Sequence, residues 1–131
     1  MAWEAWHQMA LASQKAAQTL ETTDPRSCVS RYYYAAYQAA TAVLLYQEAI
    51  PPAGREAWSH DTTPGLLVEK WGTLLKLNER QDLARRLKEL YKLRISADYA
   101  GNVVVDREAV KDARRDCNFL IRTMSSILQR G

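Results

Sequence analysis

Apolar side chains recur every three or four residues along most of this chain, which is the spacing of one face of an α-helix. Between Trp3 and Leu20 the intervening positions are mainly Ala, Gln, Glu and Lys, which are strong helix formers. The stripe in this segment consists of Trp6, Met9, Ala10, Ser13, Ala16, Ala17 and Leu20. The periodicity predicts an all-α protein whose first helix runs from Trp3 to Leu20.

A second helix is predicted to begin after Asp24. An aspartate followed by Pro25 is a strong start signal, because the carboxylate caps free backbone N–H groups and proline fits the first helical position. The segment should continue to about Glu48. Its interior face reads Val29, Tyr33, Ala36, Ala40, Val43 and Leu44. The many alanines allow neighbouring helices to approach closely, so we expect this to be the central helix.

The stretch from Ile50 to Gly65 contains three prolines and two glycines and is predicted to be a long connection. Periodicity returns near Leu66, continues through Trp71, Leu74 and Leu75, pauses near Asn78 and resumes from Leu83 to about Tyr99. This pattern predicts a third and a fourth helix. Asn102 to Val105 should be an extended link, and Asp106 should cap a final helix that reaches Leu128. We therefore expect a single domain, residues 1–131, folded as an antiparallel up-and-down bundle of four to five helices.

Composition narrows the class of protein further. The longest apolar stretch is too short to cross a bilayer and the beginning of the chain lacks the pattern of a secretory signal, so we expect a cytoplasmic protein without membrane contact. Cys28 and Cys117 lack the paired spacing of zinc or redox motifs and are expected to be buried free thiols. Residues 1–65 carry 4 basic and 6 acidic side chains, whereas residues 66–131 carry 14 and 9. Such asymmetry fits either a nucleic-acid-facing surface or ordinary solvated helix faces.

Arg94 is the most informative residue, because it continues the apolar stripe of Leu83, Leu87 and Leu90. A guanidinium on a buried face requires a partner, and Asp98 stands one helical turn away. The pair has two interpretations. It either holds the end of the helix as an internal salt bridge, or it belongs to a site where arginine binds phosphate through paired hydrogen bonds.

Two further groups accompany this arginine. Ser30, Tyr34 and Tyr37 share one face of the second helix, beside Arg31, and tyrosines at this spacing either pack in the core or line a nucleotide site. His60 follows Ser59 in the long connection. It either caps the following segment or acts as a general acid or base.

These motifs together resemble the HEPN (higher eukaryotes and prokaryotes nucleotide-binding) domain family. The resemblance rests on Ser30-Arg31-Tyr32-Tyr33-Tyr34-Ala35, a Ser-His pair after a loop, and Arg94-Ile95-Ser96-Ala97-Asp98-Tyr99, which looks like the RxxADY subgroup. It spans nearly the whole chain. The resemblance implies an antiparallel helical bundle, commonly a homodimer.

Ribonucleases of that family carry an Arg-x(4–6)-His motif on the later helix, and this chain departs from it. Tyr99 stands where the histidine is expected, and no histidine follows. Arg55 and His60 fit the spacing literally but lie in the Pro/Gly-rich connection. A site of the family's kind would therefore require the fold to bring His60 beside Arg94.

Three functions follow. The leading hypothesis is a nucleotide- or RNA-binding partner of a minimal nucleotidyltransferase in a toxin–antitoxin type module. Its binding residues would be Ser30, Arg31, Tyr34, Arg94, Asp98 and Tyr99, without a metal or other cofactor. The second hypothesis is a metal-independent ribonuclease that uses His60 and Arg94, and the third is a non-catalytic dimerising adaptor. The resemblance also implies a regulatory role for Tyr99 as an acceptor of a nucleotide from the transferase.

Overall fold

Five α-helices make up most of the chain that the structure, a computed structural model, describes: residues 2–69, 75–101 and 104–129. They are α1 (Ala2–Leu20), α2 (Pro25–Tyr46), α3 (Thr63–Glu69), α4 (Leu77–Tyr99) and α5 (Arg107–Leu128). No strand occurs among the described residues. The predicted all-α class is confirmed.

The helix starts at α2 and α5 follow the predicted caps. The Asp24 carboxylate accepts the backbone N–H of Ser27 at 3.2 Å, and the Asp106 carboxylate accepts that of Ala109 at 2.9 Å. Each bond satisfies one N–H group that has no partner inside the helix. The helix starts predicted at Asp24 and Asp106 are therefore confirmed.

Contacts between α1 and its neighbours establish the helix directions. Trp3, near the start of α1, packs edge-on against Tyr46 at the end of α2, and Ser13 donates a hydrogen bond to Gln38 at 2.7 Å. His7 lies 3.0 Å from the Ser125 hydroxyl near the end of α5. Because early residues of α1 meet late residues of its partners, α1 runs antiparallel to both α2 and α5. These directions are those of an up-and-down bundle.

Helix α2 is the central element, as its alanines predicted. It contacts each of the other four helices, and Ala35, Ala36, Ala39, Ala40 and Ala42 are almost fully buried. Small side chains let the surrounding backbones approach, so this helix can be enclosed without a cavity. The six residues predicted for its interior face are all buried.

Other boundaries differ from the prediction. Helix α3 begins at Thr63 instead of Leu66, because Pro64 falls in a first turn, where proline favours a helix. Helix α4 begins at Leu77 without a pause, and the Glu79 carboxylate accepts the Lys76 N–H at 3.0 Å. Helix α2 ends at Tyr46, two residues before Glu48, which has a φ of 65°. Lys70 to Leu74, Asn102 and Val103 lie outside the described residues, so the structure does not test what the sequence predicts for them.

Two details of burial complete the fold. Met9 is 44% exposed, so its place on the α1 stripe was wrong, and His7 is buried there instead. Cys28 and Cys117 are buried free thiols, and burial raises the pKa of Cys28 to about 11. No helix in the described ranges combines the length and apolar character needed to cross a membrane.

Candidate functional site

Arg94 lies where the apolar stripe of α4 reaches the surface. Leu83, Leu87 and Leu90 are at most 1% exposed, and the Arg94 side chain one turn later is 12% exposed. Its Nε lies 2.9 Å from an oxygen of Asp98, also one turn away. The ion pair predicted from the i, i+4 spacing is therefore formed.

Two tyrosines complete the surroundings of this guanidinium. Arg94 donates hydrogen bonds to the hydroxyls of Tyr34 at 2.8 Å and Tyr99 at 3.4 Å, and its central carbon lies within 5.4 Å of both ring centroids. Burial alone would lower the pKa of Arg94, but Tyr34, Tyr99 and Asp98 raise it overall. The result is a permanent cation held in one orientation at the surface.

A polar depression adjoins the Arg94–Asp98 pair, between α2 and the end of α4. The Ser30 hydroxyl donates a hydrogen bond to Asp98 at 3.3 Å, and Ser30, Tyr34 and Asp98 line a cavity of about 670 Å³. Arg31 lines the same cavity and is exposed. A ligand in this depression would meet the carboxylates of Asp24 and Asp98, hydroxyl groups and the cation of Arg31.

His60 reaches the same place from the connection between α2 and α3. A hydrogen bond of 2.5 Å joins its Nδ1 to the Tyr33 hydroxyl. Four tyrosine rings surround the imidazole with centroid distances between 4.5 and 6.1 Å: Tyr33, Tyr34, Tyr37 and Tyr91. The Tyr37 hydroxyl also donates to the Trp58 carbonyl, so the connection is tied to α2 on both sides of Ser59.

The pKa of His60 is lowered from its ordinary value of 6.5, first by burial and then by the positive charge of Arg94. At neutral pH the imidazole is therefore uncharged and able to accept a proton. Tyr34 contacts both residues, since its hydroxyl binds Arg94 and its ring packs against His60. The fold thus brings His60 beside Arg94, as a divided site requires.

Positive charge continues along α4 from this point. Lys88 and Lys92 line a small cavity of about 220 Å³ together with His60 and Tyr91. Both lysines are exposed. Asp61 also lines this cavity, and Lys92 pairs with Glu89 at 3.6 Å. Arg94, Lys88 and Lys92 nevertheless give this surface three cations that phosphate groups can contact. Among the described residues, no group of three or more His, Cys, Asp or Glu side chains is arranged to hold a metal ion.

The site therefore unites residues from three segments that the sequence had singled out: Ser30, Tyr34, His60, Arg94, Asp98 and Tyr99. Arg31 lies at the edge. Arg55 belongs to the exposed part of the connection and lines a separate cavity beyond His60. The literal Arg55-x4-His60 match is therefore not the pair that forms the site.

Several contributing residues were missed. Tyr33 was assigned to the core, which is correct, but its hydroxyl also reaches His60, and Tyr91 was not singled out at all. The available signal was the position of Tyr91, three residues before Arg94 on the same side of α4. Arg26 was also missed. It donates hydrogen bonds to the carbonyls of Ala97 at 2.8 Å and Ala100 at 3.3 Å, and so caps the helix end that carries Asp98.

Comparison with known protein families adds one finding. A family model described as HEPN domain matches residues 3–128, which cover the five described helices except Ala2 and include every residue of the site. A search of curated proteins gave no match.

Proposed function

Because this chain belongs to the HEPN domain family, we propose that it binds a nucleotide or RNA at the Arg94 site and serves a minimal nucleotidyltransferase as its partner in a toxin–antitoxin type module. Family membership supports a helical domain with a nucleotide- or RNA-related role. The identity of the partner and the binding residues are our proposal.

The observation that carries this proposal is the meeting of Arg94 and His60 at Tyr34. A purely structural ion pair needs only Arg94 and Asp98. Here the cation is also oriented by two phenol groups, its side chain is 12% exposed, and one of those phenols, Tyr34, also packs against a neutral imidazole. Since Nε pairs with Asp98 and one terminal nitrogen donates to both phenols, the other terminal nitrogen keeps its N–H groups for a phosphate.

Binding of a short RNA and of nucleoside triphosphates to the purified chain tests the proposal. Arg94→Ala should weaken binding on the order of tenfold or more, since hydrogen bonds to charged groups contribute about 1.5–3 kcal/mol. Arg94→Lys should restore the charge but only part of the affinity, because lysine lacks the planar fork. Arg85→Ala is the matched control, since Arg85 lies on the same helix with a side chain that is 61% exposed.

The adaptor hypothesis makes the opposite prediction for the same variants. If the Arg94–Asp98 pair only holds the bundle together, Arg94→Ala should lower the melting temperature and leave any ligand affinity unchanged. A wild-type chain without affinity for RNA or nucleotides, and without a nucleotidyltransferase in pull-down experiments, would refute the leading proposal.

Ribonuclease activity is the second candidate, and the position of His60 favours it. In the tautomer whose Nδ1–H donates to the Tyr33 hydroxyl oxygen, Nε2 has a free lone pair. Nε2 would then take the proton of an RNA 2′-hydroxyl while the 2′-oxygen attacks phosphorus and the bond to the 5′-oxygen breaks. Arg94 would stabilise the negative charge on the phosphate. The leaving 5′-oxygen would take a proton from water, so the expected products are a 2′,3′-cyclic phosphate and a free 5′-hydroxyl.

Incubation of total RNA with wild type, His60→Ala and Arg94→Ala tests this activity. Loss of cleavage in both variants, with melting temperatures close to that of wild type, would support the divided site. Intact RNA after long incubation with concentrated wild-type protein would refute it and leave the binding role.

Tyr99 is our candidate for modification by the partner transferase. It is 70% exposed, and its hydroxyl lies 3.4 Å from the Arg94 guanidinium, a cation that can attract the triphosphate of a donor nucleotide. The phenolic oxygen would bond to the α-phosphorus and release pyrophosphate. Mass spectrometry of the chain co-expressed with a transferase should find the added nucleotide on the Tyr99 peptide and none on Tyr99→Phe. Sedimentation of the same samples would test the expected homodimer.

A further inference from the structure

The connection between α2 and α3 encloses a second, larger cavity that the proposed function does not use. Its volume is about 710 Å³, and its walls come from the connection itself, from α1 and from α2. The aromatic side chains that line it are Trp6, Tyr37, Trp58 and His60. Polar groups occur at Arg55 and Glu56, which are both exposed.

His60 lies between this cavity and the residues around Arg94. The imidazole lines the cavity, packs against Tyr37 at a centroid distance of 4.5 Å and also contacts Tyr34, which binds Arg94. A ligand whose phosphate lay at Arg94 would therefore have an aromatic chamber beside it.

The residues that line this cavity favour a nucleobase as its ligand. Aromatic rings stack on nucleobases of any sequence, because every base has a π-face, and unpaired bases of RNA are commonly held in this way. Arg55 and Glu56 offer hydrogen-bond donors and acceptors to the edge of a base. A simple apolar ligand would leave both of these groups unused.

We propose that this cavity is a base-binding subsite, which holds the base of an unpaired nucleotide next to a phosphate bound at Arg94. The inference rests on the proposed function, because the phosphate contact supplies the anchor. It adds a difference in affinity: the chain binds an RNA strand that carries bases more tightly than a bare sugar–phosphate strand. Trp6 and Tyr37, which are both half-buried, provide the stacking surfaces.

The test compares binding of a short single-stranded RNA with that of an abasic ribose–phosphate strand of equal length. Wild type should bind the RNA on the order of tenfold more tightly, as expected for stacking of one base. Ala57→Trp should abolish this difference, because Ala57 lines the cavity and an indole would fill it. Ala53→Trp is the matched control, since Ala53 is exposed in the same connection outside the cavity lining.

A second variant tests the stacking wall directly. Trp6→Ala should also reduce the preference for RNA, and its melting temperature must be measured, because Trp6 packs partly against the core. Ala57 is not among the buried core residues, so Ala57→Trp removes no core contact. This variant therefore still tests the subsite if Trp6→Ala fails to fold.

The outcomes separate this inference from the proposed function. Equal affinity of wild type for the two strands, or an unchanged preference in Ala57→Trp, would overturn the base-binding subsite while leaving phosphate binding at Arg94 intact. Wild type that binds neither strand would overturn the proposed function and the subsite together. Loss of abasic-strand binding in Arg94→Ala would support the phosphate anchor independently.

Discussion

Arg94 donates a hydrogen bond to the hydroxyl of Tyr34, which lies 60 residues earlier in the chain, at 2.8 Å. The same guanidinium pairs with Asp98 on its own helix, so one contact fixes its position along α4 and the other fixes it against α2. A cation held from two helices has little freedom to swing away from the surface. This arrangement leads to the first prediction.

Tyr34→Phe should keep the ring contacts and remove the hydroxyl. We expect a loss of about 0.5–1.5 kcal/mol in the free energy of unfolding, the usual contribution of one hydrogen bond. RNA affinity should fall several-fold, because Arg94 then lacks its hydrogen bond to α2. Urea unfolding and RNA titration measure the two effects, and Tyr46→Phe is a control outside the site. Unchanged affinity would show that Asp98 alone orients Arg94.

Acid should destabilise the protein through its histidines. The folded state lowers the pKa of His60 below 6.5, so the unfolded chain binds more protons in this range. The stability that follows from the neutral imidazole is complete above about pH 6.5 and is lost as the pH falls through the lower folded pKa. Urea unfolding at several pH values between 5 and 8 should show this decline.

His7 also has a pKa lowered by burial and acts in the same direction. The single variants His60→Gln and His7→Gln therefore separate the two contributions. Each should flatten part of the pH dependence, and NMR titration of the His60 ring in His7→Gln should give a midpoint below 6.5. A midpoint at or above that value would contradict the prediction.

A buried ion pair between α4 and α5 should contribute strongly to stability. Asp116, whose side chain is 4% exposed, accepts a hydrogen bond from Arg86 at 2.8 Å. Asp116→Ala would leave the largely buried Arg86 with its ion pair to Asp82 at 3.1 Å but without this partner, and it should cost about 1.5–3 kcal/mol in urea unfolding. Arg85→Ala, on the exposed side of α4, should change stability by less than about 1 kcal/mol. Similar losses in both variants would contradict the assignment.

Arg26 should hold the end of α4 in place. Its guanidinium donates to the carbonyls of Ala97 and Ala100, which lie at the end of the helix that carries Asp98 and Tyr99. Arg26→Ala should speed hydrogen exchange of the backbone amides around 97–101 and lower stability by about 1–2 kcal/mol. Arg107→Ala, exposed at the start of α5, is the control. Exchange rates equal to those of wild type would show that α4 ends stably without this cap.

Local rules predicted the parts of the fold that depend on near neighbours. The caps at Asp24 and Asp106, the stripe of α4 and the Arg94–Asp98 pair each involve residues no more than four positions apart. The start of α3 was also available, but Pro64 was interpreted as a helix breaker when it is a first-turn residue. A proline alone is compatible with a helix break or with a first helical turn, and its flanking residues decide between the two.

Contacts between distant segments were beyond such rules. Asp116 finds Arg86 30 residues away, and the Tyr33 hydroxyl meets His60 27 residues away. Helical periodicity places Tyr33 on the buried face of α2, but it cannot state which residue of a 16-residue connection will lie above its hydroxyl. That position depends on how the connection crosses α2 and α4, which only the packed bundle determines.

The attachment of the connection by Tyr33 and Tyr37 has a consequence for folding. Three separate stretches of chain must dock before His60 and Arg94 share a neighbour, so no isolated helix or helical hairpin contains the site. Local opening of the connection would detach His60 while the four long helices stay packed. Such a partly open state would retain its far-UV spectrum and most of its protected amides yet lack the assembled site, so ligand binding is a stricter measure of the native state than helix content.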